Sequence, residues 1–185
     1  MASLREERRM AYVEKARAEL SGLAGRGVSM GGNAFSSVLF LKGELSASER
    51  DGGRLLAGED GDALRASLAA LGYAPEDWCA LSVLDSRSGE PLSAPLLLEA
   101  VLALDPATLV ACDEPAAACL REALAQELVA LEDFRQAMLE PGLVVQLLGM
   151  RVMNLGGFAA SLADARQKQL MWARLKQLPP LGEPF

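Results

Sequence analysis

Apolar positions along this chain fall into two alternating rhythms. Short unbroken runs of β-branched, aromatic and leucine residues are separated by longer stretches in which leucine or alanine returns every three to four positions. Met10, Val13, Ala16 or Arg17, Leu20 and Leu23 keep helical spacing behind Ser3-Leu4-Arg5-Glu6, which has the form of a capping box. They predict a helix over about 3–23, ended by Gly22 and Gly25. A glycine-rich connection over about 24–34 follows. It leaves a helix and enters a strand, the reverse of the order that phosphate binding at a helix N-terminus requires, so it reads as a loop and not as a dinucleotide fingerprint.

Residues 38–41 are continuously apolar, as a strand buried on both faces would be. Residues 43–58 carry Gly43, Gly52, Gly53 and Gly58 with little periodicity and predict a long functional or mobile loop. Leu64, Leu68 and Leu71 mark a helix closed by Gly72. A second strand is expected over 78–84, then a polar turn over 85–92. Ser93 caps a helix with Pro95 in its first turn and leucines over 96–104, broken by Asp105-Pro106. Residues 108–111 predict a third strand. Asp113 caps the next helix, with Pro115 in its first turn and Leu120, Leu124, Leu128 and Leu131 as its stripe. Pro141-Gly142 stops it. Strands are expected over 143–147 and 152–155, around Gly149. Ser161-Leu162-Ala163-Asp164 reads as a further capping signature. A last helix should run to about Leu178 with Trp172 on its apolar side, and Lys168, Arg174 and Lys176 favour its C-terminal half. Strand and helix alternate throughout, which predicts a parallel sheet with helices on both faces and a single domain over 1–185.

Composition narrows the function classes. With 185 residues and 51% apolar composition, one sizeable core can be buried. No apolar run is long enough to cross a bilayer, and the charged first residues lack the apolar segment of a secretory signal, so a soluble, cytoplasmic protein without a membrane partner is expected. A net charge of −7 argues against a broad phosphate-binding surface and leaves a local patch of Lys42, Arg50, Arg54 and Arg151 as the route by which DNA would bind. Histidine is absent, and Cys79, Cys112 and Cys119 show no Cys-x-x-Cys spacing, so neither a metal site nor a cofactor is expected and the thiols read as reduced. Any catalysis would fall to carboxylates, lysine or thiolate.

Several short segments, in order, resemble the uracil-DNA glycosylases of the iron–sulfur branch. Gly31-Gly32-Asn33 is similar to the Gly-x-Gly-Asn stretch before that family's first strand. Gly43-Glu44 matches the start of its Gly-Glu-Ala-Pro-Gly loop, while Leu45, Ser46 and Ala47 depart from it. Gly53-Arg54-Leu55-Leu56-Ala57-Gly58 is in register with Gly-Arg-Pro-Phe-x-Gly, a leucine replacing the aromatic that stacks on the base. Ser82 stands where the family's uracil-reading Asn belongs, and Ser86 where a cluster cysteine belongs. Leu104-Asp105-Pro106 resembles the Leu-x-Pro before the third strand, and Asp113 replaces the glycine after it. Phe158-Ala159-Ala160 occupies the place of His-Pro-Ser, between 151–155 and a helix with Lys168 and Trp172. Ser21 to Ala24 lies near the missing N-terminal Cys-x-x-Cys.

The resemblance covers about 31–178. It implies a three-layer α/β/α sandwich around a central, mainly parallel four-stranded sheet. It also implies a degenerate member, without the iron–sulfur cluster and without glycosylase activity, that binds a nucleotide, DNA or a protein in the former cleft. Glu44 would be the catalytic remnant, and Gly43, Leu55, Leu56, Ser82, Asp113 and Phe158 would line the pocket. Two alternatives stay open. One is a divergent glycosylase that excises uracil or a damaged base using Glu44; the other is a non-enzymatic interaction protein that forms homo-oligomers through exposed leucines and alanines.

Overall fold

The computed structural model describes residues 4–179. Helix α1 (Leu4–Gly25) opens the chain. Ser3, the expected cap, lies outside the described residues. Gly22 does not end α1, which continues to Gly25; Gly27 then turns the chain with φ +95, and a Cβ there would sit 2.3 Å from the Asp85 carboxylate. Strand β1 (Met30–Gly32) follows, then β2 (Val38–Lys42), a short α2 (Ala47–Arg50) and α3 (Glu59–Ala70). Next come β3 (Trp78–Ser82), α4 (Ala94–Leu104) and β4 (Thr108–Ala111). Three helices, α5 (Glu114–Ala123), α6 (Ala125–Val129) and α7 (Phe134–Ala137), lead to β5 (Val144–Leu147) and β6 (Met150–Asn154). Helices α8 (Phe158–Ser161) and α9 (Ala165–Leu175) complete the described chain.

The strands form one mixed sheet in the order β1-β3-β2-β4-β6-β5. Strands β3, β2, β4 and β6 are mutually parallel, with Leu39 beside both Cys79 and Leu109, and Leu109 beside Val152. Antiparallel β1 and β5 flank them, so the sheet has six strands where four were expected. Strand β1 lies inside the segment read as a loop. Two of its three residues are glycines, which carry no strand propensity, and pairing to residues 79–81 makes it a strand. Strand β5 returns into β6 through Leu148 and Gly149, at φ 50 and 79, the two positive values of a primed hairpin turn.

Alternate residues of the parallel strands feed two separate cores, as the two-residue side-chain period demands. Leu39, Leu41, Leu81, Leu109 and Ala111 pack with leucines of α4 and α5. Val38, Phe40, Ala80, Val110 and Met153 pack with Leu64 and Leu68 of α3 and Met171 and Leu175 of α9. The expected caps hold at Ser93 and Asp113, whose side chains accept from the amides of Leu96 and Ala116. Asp105 ends α4 in the left-handed conformation, φ 45. The final helix differs from expectation at both ends. Ser161 belongs to α8, Asp164 caps α9, and α9 stops at Leu175. Among the described residues no helix is long and apolar enough to cross a membrane.

Candidate functional site

The carboxyl ends of the parallel strands bring together Gly43 after β2, Ser82 at the end of β3, Asp113 after β4 and Asn154 at the end of β6. Open α/β sheets hold ligands at this edge, in the crevice where neighbouring connections diverge. Here that crevice lies between β2, whose connection leads to β3, and β4, whose connection leads toward β6. The chain itself fills it. The buried Asp113 carboxylate accepts from the Gly43 amide at 3.1 and 3.0 Å, from the Glu44 amide at 3.0 Å and from the Ala116 amide at 2.9 Å. Only glycine fits at position 43, because a Cβ would lie 2.6 Å from Pro115 Cβ and 2.9 Å from the Ala116 nitrogen. Asn154 is likewise engaged, donating to the Leu139 carbonyl at 3.0 Å and accepting from the Gly156 amide at 2.8 Å.

The segment 43–58 is anchored rather than loose. Lys42 Nζ donates to both carboxylate oxygens of Glu49, at 2.9 and 2.8 Å, and to Asp60 Oδ2 at 2.5 Å. Side-chain exposure is 4% for Lys42, 0% for Glu49 and 16% for Asp60, so the cluster is enclosed. The Glu49 carboxylate also accepts from the amides of Ser46, at 2.7 Å, and Leu56, at 2.6 Å. Burial by itself would raise the Glu49 pKa; the bonds from Lys42, Ser46 and Leu56 outweigh it and hold the carboxylate below its ordinary value. Burial would lower the Lys42 pKa, and Asp60 and Glu49 raise it above the ordinary value. Sequence reasoning treated Lys42 as part of a basic patch and missed this cluster. The signal was present in Ser46-Ala47-Ser48-Glu49, whose spacing is that of the capping box found at α2.

The basic patch does not assemble. Lys42 is neutralised by two carboxylates. Arg50 and Arg54 are exposed on the 43–58 segment, while Arg151 pairs beside Thr108 at the opposite, amino end of the sheet and donates to the Gln177 carbonyl at 2.8 Å.

The expected pocket residues fall into separate places. Ser82 and Leu55 share a cleft of about 300 Å³ with Leu45 and Arg50. Glu44 faces a different, open cleft of about 570 Å³, on the other side of the segment, walled by Lys42, Glu59, Asp60 and Leu162. Phe158 borders a third, of about 280 Å³, with Met171 and Trp172. Leu56 faces none of these; it is fully buried in the core, with φ 57. The Ser82 hydroxyl is used locally, accepting from the Leu84 amide at 3.0 Å and donating to its carbonyl at 3.2 Å. Phe158 is buried. Glu44 is exposed, and its side chain has no hydrogen bond among the described residues.

Ser21, Ala24 and Ser86, which stand where the resemblance places cluster cysteines, do converge. They line one open surface depression of about 700 Å³ with Arg17 and Gly52. No thiol faces it. Hydroxyl and methyl groups are not the thiolates an iron–sulfur cluster needs, so the residues present do not fit that group. The cysteines lie elsewhere, Cys79 and Cys112 buried and Cys119 half-buried. Burial pushes the Cys79 thiol up to about 11, and raises Cys112 and Cys119 as well. In a thiol titration of the native protein at about pH 8, Cys79 and Cys112 are expected to stay unreacted and to react at once in denaturant. Rapid native labelling of either would show that its core opens.

No family model matches this chain, and no curated protein matches its sequence.

Proposed function

We propose that the chain is a uracil-DNA glycosylase-like protein, a three-layer α/β/α sandwich about its parallel strands, that has lost glycosylase activity and retains the carboxyl edge of the sheet for binding. One observation carries this reading. The polar groups at that edge are either consumed by the fold or parted from one another: Asp113 by three amides, Ser82 by Leu84, Lys42 by Glu49 and Asp60. Excision of a base needs a flipped nucleotide stacked and read in one pocket, with charge aimed at the departing anion and the sugar cation. Glu44 could orient a water, but it stands in a different cleft from Ser82 and Leu55. Groups that act as a unit leave little rate when separated.

The cleft at Glu44 also presents Glu59 and Asp60, and Lys42, the one cation lining it among the described residues, is already paired. A DNA backbone would meet net negative charge, which favours a protein or an uncharged or cationic small molecule as its occupant. Purified protein is expected to release no uracil from single- or double-stranded DNA and to retain no oligonucleotide at low salt. Salt-sensitive DNA binding at this cleft, weakened on adding further carboxylates, would contradict the reading.

A further inference from the structure

We propose that a small phosphate-bearing molecule binds in the hollow between α1, β1 and the turn that follows β3, against Ser29, Gly52 and Ser86 and within reach of Arg17 and Arg50. Two adjoining open depressions, of about 300 and 700 Å³, share these three residues; Arg50 lines the first and Arg17 the second. The charge of this hollow is opposite in sign to that of the chain as a whole. Its lining carries three guanidinium groups, of Arg17, Arg50 and Arg87, against two carboxylates; Asp85 is held by Arg87 at 3.1 and 2.8 Å, and Glu49 shares Lys42 with Asp60. Arg17 and Arg50 are exposed and have no acidic partner among the described residues, so two guanidinium groups are left over. Guanidinium forks match phosphate oxygens geometrically and bind them strongly.

The remaining wall suits the same ligand. The hydroxyls of Ser29 and Ser86 make no hydrogen bond among the described residues and can donate. Gly52, at φ +86 with open space where a side chain would stand, leaves its backbone open to close approach. Two cations on either side of the shared residues suit one phosphate group; a nucleic-acid strand would need a row of them. The smaller depression is the cleft of Ser82 and Leu55, so the inference rests on the proposed function, which leaves this edge of the sheet for binding; it does not draw on Glu44, which lines a different cleft.

Titration calorimetry of the full chain with inorganic phosphate and with ribose 5-phosphate tests it. Saturable binding is expected with a Kd of about 1 mM or tighter. Arg17→Gln and Arg50→Gln should each weaken it about tenfold, with melting temperature unchanged when no ligand is present. Ser86→Asp, which adds a carboxylate to the hollow, should abolish it, while Glu44→Ala should leave it intact. Binding of the ester alone would identify a phosphorylated metabolite, and binding of both probes would identify the free anion as sufficient. No binding of either at about 20 mM, or unchanged binding by both arginine variants, overturns the proposal. So does tighter, strongly salt-dependent binding of a 5′-phosphorylated single strand, which would place a nucleic acid there instead.

Discussion

Lys42→Met is expected to destabilise the protein by about 3–5 kcal/mol, because it leaves the enclosed Glu49 carboxylate without its counter-ion. Glu49 has no exposed surface through which water could take over, and Asp60 would face it across the gap left by the ammonium. In a chain of this size that loss should lower the melting temperature by about 10 °C. Changing both Lys42 and Glu49 to methionine should recover only part of the loss, since the amides of Ser46 and Leu56 would lose their acceptor.

The pH dependence has a definite sign. Glu49 is held below its ordinary 4.5, so its contribution is present above that value and fades as pH falls through the lower folded one. Lys42 is raised above 10.5, so its contribution is complete below that value and fades as pH rises through the higher folded one. Urea midpoints of wild type and Lys42→Met should therefore differ most between these limits and converge in acid. Equal midpoints near neutral pH would show that the cluster contributes nothing.

Asp113→Ala is expected to cost about 2–4 kcal/mol, combining a lost helix cap with unsatisfied amides. One carboxylate serves α5 through Ala116 and the strand end through Gly43 and Glu44, and the Gly43 bond is buried. Asp113→Asn should rescue part of the loss. Its oxygen can still accept from Ala116 and Gly43, but its NH₂ then faces the Glu44 donor. Hydrogen exchange gives the specific readout: the Gly43 and Glu44 amides should be protected in the wild type and exchange rapidly in Asp113→Ala, with Glu44 alone exchanging rapidly in Asp113→Asn, while the middle of β2 stays protected. Retained protection at Gly43 in Asp113→Ala would mean that the crevice is closed by something else.

Features governed by neighbours within a few residues were legible in the sequence. Ser93 and Asp113 cap because a side chain reaches an amide three positions on, and the 108–111 strand is apolar at three of its four positions between a proline and a cap. Features governed by distant pairing were not. Strand β1 carries two glycines and exists only through its bonds to β3. Ser161 and Asp164 both look like caps, and only the packing of Phe158 and Ser161 into their own turn assigns the role to Asp164. The site was the hardest to read. The resemblance would set Glu44, Leu55 and Ser82 in one pocket, yet Glu49, anchored to Lys42 and the Leu56 amide, fixes the 43–58 segment between their clefts.

The most direct test is single-turnover uracil release from single- and double-stranded DNA, with protein in excess over hours, comparing wild type with Glu44→Ala. The parted groups predict background release in both. Release by the wild type that disappears in Glu44→Ala would contradict this account and establish a working glycosylase built around that carboxylate.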